Sequence, residues 1–389
     1  MTYDFDKVYD RRGTLSLKYD GCQRIFGSSD VIPLWVADMD FPTAQPIIDA
    51  VQRRAAEGIW GYAEHPASYF ESLCDWQRRR NNWVISPEQC SIALGVVQAI
   101  ASLMQLYTKP GDGILLTSPV YSCFFEIIEA NERKVVESRM LEGADGRWQI
   151  DFADFEEKLK DVKMFLLCSP HNPLGIVWTR EELAKMVELC NKHGVMLISD
   201  EIHSDLVFNG PHIPTASINE EAARSVITCV AASKTFNLAG LQASVTIFPD
   251  NAIQEKYEDF WNRLEFGRNN LFAVIAAEAA YREGEEWLEQ LKTYLAENFR
   301  FVRDYCAEHL PGITTRIPDA TYLMWLDCRG LGMTQQELSD FFINKAHIAL
   351  TNGIGYCPGL EGFMRLNVAC PRSILQKGLE QLKEALSSL

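Results

Sequence analysis

The sequence predicts an α/β protein with a mostly parallel sheet in a large domain and a smaller α+β domain. Short apolar runs in the middle of the chain alternate with helical patterns, and they lie at residues 113–117, Val162–Cys168, 195–199 and Val226–Val230. Strands that are apolar throughout and separated by helices are typical of parallel sheets covered on both faces. After about residue 285 a long helix is followed by short strands, which is typical of an α+β domain.

The segment before residue 195 has clear helix signals. Thr179 and Glu182 have the spacing of a capping box, and Gly194 fits a C-terminal stop. The apolar residues between them recur at helical spacing, at Leu183, Met186, Val187 and Cys190. We therefore predict a helix between two buried strands.

The C-terminal part predicts a helix at 286–309, strands near 314–317 and 322–327, and a final helix at Arg372–Leu386. The first 45 or so residues contain little that would close a core alone, so we expect them to pack on this part. The expected domains are a large one at residues 48–285 and a small one formed by both termini, at residues 1–47 and 286–389.

Composition argues against nucleic-acid and membrane partners. The 389 residues carry a net charge of −16, whereas a nucleic-acid-binding protein normally shows a basic patch. The strongest basic cluster, at residues 78–80, follows Trp76 and is predicted to be the solvated end of a helix. No apolar run approaches the roughly 20 residues that span a bilayer.

The eleven cysteines are scattered, with no Cys-x-x-Cys pair and no Cys/His spacing of a zinc site, so we expect no metal. The first residues lack the apolar region of a signal peptide. A reducing cytoplasm is the simplest expected compartment.

Lys234 lies in the segment Ala231–Gly240, which directly follows the buried run Val226–Val230. A lysine cation is costly to bury at the end of an apolar strand, and it can lose its charge by acting as a catalytic amine or by forming a Schiff base. The alternative is a lysine that emerges into solvent. Other polar residues at strand ends favour the catalytic interpretation.

Asp200 and Asn172 also come after buried runs, 34 and 62 positions before Lys234. A carboxylate at the carboxyl end of a parallel strand points into the crevice where α/β sheets bind ligands. Asp200 could keep a pyridine nitrogen protonated, and the Asn172 amide could donate to a phenolate oxygen. Alone, each would also fit a loop or turn role, but together they indicate one site.

Four further residues carry weaker signals. Val96 and Val97 follow Gly95 where a strand leads into a helix, and backbone N–H groups at a helix start suit a phosphate. Tyr121 could stack on an aromatic cofactor or simply pack in the core. Arg365 lies in a strand-like run, where it could clamp a carboxylate or face solvent.

Other common chemistries lack their motifs. The sequence contains no G-x-x-x-x-G-K-[ST] loop, no H-E-x-x-H and no G-x-S-x-G elbow. P-loop NTPases, zincin proteases and α/β-hydrolases are therefore disfavoured.

Taken together, these segments resemble a known family. The order and spacing of GVV, PVY, HNPLG, SDEIH, SKTFN and RLN are similar to those of fold-type I pyridoxal-phosphate (PLP) enzymes of the class I/II aminotransferase superfamily. The stretches at 35–42 (WVADMDFP) and 61–66 (GYAEHP) resemble its cystathionine β-lyase branch, the MalY/PatB-type C–S lyases. The resemblance covers essentially the whole chain and implies an aspartate-aminotransferase-like fold with a mostly parallel seven-stranded sheet.

The resemblance implies a role for each site residue. Lys234 would bind the cofactor covalently and move the substrate's Cα proton, and Tyr121 would stack on the ring as the second catalytic residue. Arg365 and the backbone near Ala37 would bind the substrate carboxylate. The other implied cofactor contacts are Asp200 at the ring nitrogen, Asn172 and His203 near the ring hydroxyl, Ser233, Val96 and Val97 at the phosphate, and Tyr62 at the phosphate of a neighbouring subunit.

Two positions depart from the aminotransferase pattern. His203 stands where many aminotransferases have a tyrosine, and Gln242 stands where many have an arginine on the phosphate. Both fit the lyase branch. We therefore expect a homodimer that cleaves cystathionine or another cysteine S-conjugate by α,β-elimination. The alternatives are a class I/II aminotransferase and a PLP-binding regulator that acts through protein contacts.

Overall fold

The computed structural model describes residues 1–268 and 270–389. Helical patterns of the sequence become fifteen α-helices in the described ranges: α1 (Leu17–Asp20), α2 (Cys22–Phe26), α3 (Gln45–Ala56), α4 (Ala67–Asn81), α5 (Val96–Tyr107), α6 (Ser122–Ala130), α7 (Phe152–Leu159), α8 (Arg180–His193), α9 (Glu220–Ser225), α10 (Ala232–Thr235), α11 (Asn251–Arg263), α12 (Leu271–Glu283), α13 (Glu285–His309), α14 (Gln335–Asn344) and α15 (Arg372–Leu386).

The strands alternate with these helices through the middle of the chain. They are β1 (Ile32–Pro33), β2 (Cys90–Ala93), β3 (Gly113–Ser118), β4 (Lys134–Arg139), β5 (Leu141–Glu142), β6 (Trp148–Gln149), β7 (Val162–Cys168), β8 (Met196–Asp200), β9 (Val226–Val230), β10 (Ser244–Ile247), β11 (Thr314–Thr315), β12 (Leu323–Asp327), β13 (Ile348–Ala349), β14 (Thr351–Asn352) and β15 (Phe363–Asn367).

The chain divides into two compact units. The central unit contains Thr43–Asn172 and Ile176–Leu288, and the terminal unit contains Met1–Pro42, Pro173–Gly175 and Glu289–Leu389. The terminal unit therefore draws on both ends of the chain. The domain boundaries expected from sequence stay a prediction.

The central unit is built on a seven-stranded sheet in the order β2-β10-β9-β8-β7-β3-β4. Every neighbouring pair is parallel except the two pairs that contain β10. All residues of β3 and β9 are buried, as the apolar runs predicted. The mostly parallel seven-stranded sheet is thus confirmed, whereas the antiparallel insertion of β10 was not foreseen.

Local signals place the helices between these strands. Thr179 and Glu182 form the predicted capping box of α8, and Gly194 ends the helix in the left-handed conformation (φ 65°). A side chain at this φ would be strained, so glycine suits the position. β8 then runs one residue further than predicted and ends at Asp200 itself.

The terminal unit has a four-stranded antiparallel sheet in the order β11-β12-β15-β14. The N-terminal segment joins this unit through parallel pairing of β1 with β13, where Ile32 lies opposite Ile348. The last helix, α15, has the predicted bounds, and α13 begins one residue before the predicted start.

No helix of the described residues is both long and apolar enough to cross a membrane. None of the cysteines in residues 1–268 and 270–389 is in a disulfide, and most of them are buried.

Candidate active site

One edge of the central sheet collects most of the predicted site residues. The neighbouring parallel strands β3, β7, β8 and β9 end at Ser118, Cys168, Asp200 and Val230. Hydrogen bonding continues to these ends, because the Ser169 N–H donates to the Asp200 carbonyl at 2.9 Å. The residues that leave the sheet at this edge are Tyr121, Asn172, Asp200, His203, Ser233 and Lys234. Carboxyl ends of parallel strands are where α/β sheets bind ligands.

Val96 and Val97 lie at the same edge through the antiparallel strand β10. Because β10 is antiparallel to both β2 and β9, β2 points in the same direction as β9. β2 ends at Ala93, and α5 starts at Val96 after Gly95. The N–H groups and dipole of this twelve-residue helix start favour an anion at this edge.

Asp200 is a buried carboxylate whose charge is poorly compensated. Its Oδ1 accepts a hydrogen bond from the Ile202 N–H at 3.1 Å. Burial raises the pKa of Asp200 to about 7, although the Ile202 N–H and the Lys234 charge both favour the ionised form. A carboxylate in this position would be stabilised by a cationic partner, such as a protonated ring nitrogen.

We expect the pH dependence of the cofactor-free protein to change in Asp200→Asn. The ordinary pKa of 3.8 is raised to about 7 in the fold. Between these values the native state keeps a proton that the unfolded chain has lost, so this group's contribution to stability falls as pH rises. As pH rises from 4.5 to 7.5, the unfolding free energy of the variant should increase by on the order of 3 kcal/mol relative to that of wild type.

Urea unfolding of both proteins across this pH range measures the difference. Asp161→Asn is the matched control, because Asp161 is exposed. Parallel stability curves for Asp200→Asn and wild type would contradict the proposed environment of Asp200.

A buried aspartate that sequence reasoning missed anchors the helix that carries Lys234. Thr235 donates its hydroxyl to Asp205 Oδ2 at 2.8 Å, and Trp76 Nε1 donates to Asp205 Oδ1 at 2.9 Å. The Phe236 ring packs edge-on against Trp76, with 5.7 Å between ring centroids. These contacts fix α10 at the sheet edge and so restrict where the Lys234 backbone can lie.

A second buried carboxylate holds the turn after Asp200. Glu201 accepts hydrogen bonds from the Ser199 hydroxyl at 2.9 Å and the Thr215 N–H at 2.8 Å, and its other oxygen lies 2.9 Å from His212 Nε2. This network stabilises the turn that carries His203, which is itself buried. Ser199 and Glu201 were visible in the sequence, but their partners 11 to 16 positions away were not.

Tyr121 and Asn172 differ in burial and in the groups that they contact. Tyr121 is half-buried at the start of α6, where its ring packs edge-on against Phe124 with 5.5 Å between centroids. Asn172 is buried, and its backbone N–H donates to Cys168 Sγ at 3.4 Å. Burial raises the pKa of the Cys123 thiol, and Tyr121 and Lys234 oppose that change, which places this thiol beside two predicted site residues.

The predicted carboxylate-binding residues lie in the terminal unit. Arg365, on the interior strand β15, is 5% exposed, so the solvent-facing alternative is wrong. Its Nη2 donates to the Trp35 carbonyl at 2.8 Å and to Thr351 Oγ1 at 3.2 Å, which orients the guanidinium plane. The Ala37 carbonyl accepts a hydrogen bond from the Tyr322 hydroxyl at 2.9 Å.

Tyr62 stands apart from the residues at the sheet edge. It lies between α3 and α4 in the central unit and is 97% exposed in the single chain. The Arg268 guanidinium lies over its ring, 5.5 Å from the centroid. Its predicted role needs a neighbouring subunit and stays a prediction.

The residues at the sheet edge fit pyridoxal phosphate. Asp200 offers a buried carboxylate for a ring N–H, and Lys234 lies close enough to act on its charge state. The start of α5 offers N–H groups for a phosphate. The individual contacts assigned to these residues stay predictions.

Comparison with known proteins gives a consistent result over the whole chain. The model of the family described as aminotransferase class I and II matches residues 29–382. Cystathionine beta-lyase PatB of Bacillus subtilis (strain 168) is 43% identical over 387 residues, which are 99% of this chain and 100% of that protein. Protein MalY of Escherichia coli (strain K12) is 34% identical over 392 residues and is covered completely, as is this chain.

A solved structure has the same fold. Cystalysin from Treponema denticola, whose crystal structure contains a pyridoxal 5′-phosphate cofactor, superposes with a TM-score of 0.96. It is 35% identical, and the match covers 100% of both chains.

Proposed function

The chain belongs to the aminotransferase class I and II family, and from this premise we propose that it is a cysteine-S-conjugate β-lyase. Pyridoxal phosphate is its cofactor, and its full-length relatives include a cystathionine beta-lyase and a C–S lyase. The observation that carries the proposal is the 43% identity to a cystathionine beta-lyase along the full length of both proteins.

The proposed reaction removes a thiol from Cβ of the substrate. Pyridoxal phosphate, when bound, supplies an electron sink for the electrons released at Cα. Lys234 Nζ accepts the Cα proton, and Asp200 keeps the ring nitrogen protonated. The Cβ–S bond then breaks with its electron pair on sulfur, which leaves as the thiol after protonation.

The remaining site residues bind and orient the substrate and cofactor. Arg365, with the backbone near Ala37, holds the substrate carboxylate. In this proposal Asn172 and His203 would lie near the ring hydroxyl, and Tyr121 would stack on the ring. Val96, Val97 and Ser233 hold the phosphate in this proposal.

We expect cystathionine and water to yield homocysteine, pyruvate and ammonia in equal amounts, without any added 2-oxo acid. Breaking the Cβ–S bond leaves a three-carbon product that hydrolyses to pyruvate and ammonia, so no amino-group acceptor is consumed. Thiol release, pyruvate and ammonia should be measured together in one reaction. Cystine and other S-conjugates, assayed in parallel, would identify the preferred leaving group.

The same assay separates the two alternatives. Strict dependence on a 2-oxo acid, with no thiol released, would assign the chain to aminotransferases instead. Absence of both reactions in a protein that binds the cofactor would favour the regulator.

We further propose that the active form is a homodimer. An apolar surface of the central unit, which we call the Tyr62 surface, supports this: it consists of Ile59, Trp60, Tyr62, Leu264 and Phe266, all of them exposed. Trp60 contacts Phe272 and Tyr62 contacts Arg268, so its first stretch packs against residues that follow Phe266 closely in the chain. Exposed apolar surfaces of this kind are typical of protein interfaces.

Mixing Tyr62→Ala with Lys234→Ala subunits should restore activity that neither protein has alone. In a heterodimer one site receives Lys234 from one subunit and Tyr62 from the other, so one intact site forms. Random exchange should recover about a quarter of wild-type activity, because half of the dimers are mixed and each has one intact site.

The matched control mixes Lys234→Ala with the Tyr62→Ala/Lys234→Ala double variant, which can form no intact site. No recovery in the first mixture, with subunit exchange verified by mass, would contradict a shared site.

A further inference from the structure

We propose that Lys18 and Asp40 are positioning residues for substrate-carboxylate binding, because their buried ion pair fixes the backbone of residues 35–38 next to Arg365. The proposal rests on the proposed function in one respect, namely that Arg365 and this backbone bind the substrate carboxylate. It concerns contacts within the terminal unit alone.

A cluster of four charges surrounds the end of this segment. The Lys18 side chain is 0% exposed, and its Nζ lies 2.8 Å from Asp40 Oδ2 and 3.7 Å from Asp38 Oδ1. Arg11 donates to both Asp38 oxygens, at 3.0 and 2.7 Å, and to Asp40 Oδ1 at 2.7 Å. The two cations and two carboxylates tie the N-terminal segment to Asp38 and Asp40.

On the other side, the segment's carbonyls are bonded to the four-stranded sheet and Tyr322. Asn367 Nδ2 donates to the carbonyls of Val36 and Asp38, both at 2.6 Å, in addition to the contacts at Trp35 and Ala37 described above. Four consecutive carbonyls, from Trp35 to Asp38, are therefore held by side chains of the terminal unit, which fixes the path of this backbone beside Arg365.

The cluster is poorly explained as a source of stability. Removing charges from water is costly, and replacing a buried ion pair with uncharged residues is often neutral or stabilising. The cluster's formal charges also cancel, so it adds little net field at Arg365. A role in placing the backbone between the ion pair and Asn367 explains why costly buried charges are present and why their formal charges cancel.

Three variants separate placement from electrostatics. Lys18→Met leaves the cluster with one excess negative charge, Asp40→Asn leaves one excess positive charge, and the double variant is neutral because Arg11 and Asp38 remain. If placement matters, all three should raise KM for the amino-acid substrate roughly tenfold or more, with kcat within about threefold of wild type. A purely electrostatic effect would raise KM in the first, lower it in the second and cancel in the double variant, and that pattern would overturn the proposal.

Hydrogen exchange of the cofactor-free protein gives a second readout that needs no turnover. Amides of residues 35–40 should exchange faster in the double variant, with unchanged exchange in β7 and β8. Wild-type exchange together with wild-type KM in a folded double variant would refute the proposal. If the double variant does not fold, Asp40→Glu replaces it, because one added methylene displaces the segment while keeping the charges.

Binding of two small probes distinguishes carboxylate positioning from general damage. Titrations that follow the cofactor's absorbance should show weaker binding of L-alanine in the variants and unchanged binding of ethylamine, which has no carboxylate. Equal weakening of both probes would overturn the proposal. Arg12→Met is the control, because Arg12 is exposed and lies 3.9 Å from the exposed Asp10.

These probes also separate this proposal from the proposed function. If wild type releases no thiol from any S-conjugate, the lyase assignment fails, and the L-alanine and exchange measurements still decide the role of Lys18 and Asp40.

Discussion

Lys234→Ala is expected to lose essentially all turnover, by at least about 10⁴-fold in kcat. The lysine amine is both the proposed covalent attachment point of the cofactor and the group that accepts the Cα proton. The wild-type protein should be yellow, with absorbance at roughly 410–430 nm that borohydride abolishes, because reduction fixes the lysine–cofactor linkage. Borohydride followed by peptide mass analysis should place the modification on Lys234 alone.

Lys185→Ala is the matched control for this experiment. Lys185 is a partly exposed residue of α8 that pairs with Glu188 at 3.1 Å. It should keep wild-type kcat. A small primary amine such as ethylamine, added to Lys234→Ala, should restore part of the activity by replacing the missing proton acceptor. Normal activity in Lys234→Ala would refute the proposed function.

Arg365→Ala should raise KM for amino-acid substrates by roughly 30- to 1,000-fold, because truncating a buried, hydrogen-bonded charge costs about 2 to 4 kcal/mol. Contacts with Trp35 and Thr351 hold the guanidinium in place in the structure. Cofactor absorbance should be retained, because this residue belongs to the terminal unit. Steady-state kinetics and an absorbance titration with the cofactor measure the two effects separately.

Arg365→Lys tests the geometry of the charge. It keeps the positive charge but loses the planar fork that matches a carboxylate, so its KM should lie between those of wild type and Arg365→Ala. Arg303→Ala, at an exposed position on α13, is the control and should leave KM unchanged. A wild-type KM in Arg365→Ala for every amino acid tested would place the carboxylate elsewhere.

Most strands of the central sheet could be predicted because each is marked by its own local sequence pattern. Apart from Lys163, the run Val162–Cys168 is apolar and buried, and such a run can be recognised as a strand without knowledge of its partner strands. The direction of the short strand β10 could not be predicted from its local sequence. Its four residues fit either direction, and its antiparallel placement depends on pairing with β2 and β9. Strand direction within a sheet is a property of the whole chain path.

The residues of the candidate site likewise differ in whether a local sequence pattern marks them. Asp200 and Lys234 could be predicted because each lies at or shortly after the end of an apolar run, and parallel strands bring such ends together. Asp205 could not, because its partner Thr235 lies 30 positions away and no local pattern marks the pair. The roles assigned to these residues remain predictions for the experiments above.

The buried pairs of the terminal unit were still harder to predict from sequence, because their members are far apart in the chain. Lys18 looks like an ordinary surface lysine in its sequence context, and only the fold shows it enclosed against Asp40. Trp35 meets Arg365 across 330 positions of chain. Resemblance to the family was needed to assign Arg365 a function, whereas the structure shows what orients it.

The split terminal unit has a consequence for synthesis on the ribosome. Trp35 leaves the ribosome long before its hydrogen-bond partner Thr351, which lies 316 positions later. At roughly 5 to 20 residues per second, translation separates their appearance by tens of seconds. During that interval residues 1–42 lack the strands with which they pair, while most of the central unit has already been translated. Residues 1–42 are thus translated before the central unit and yet are among the last to reach their native contacts, and nascent chains stalled before β13 should leave them sensitive to protease.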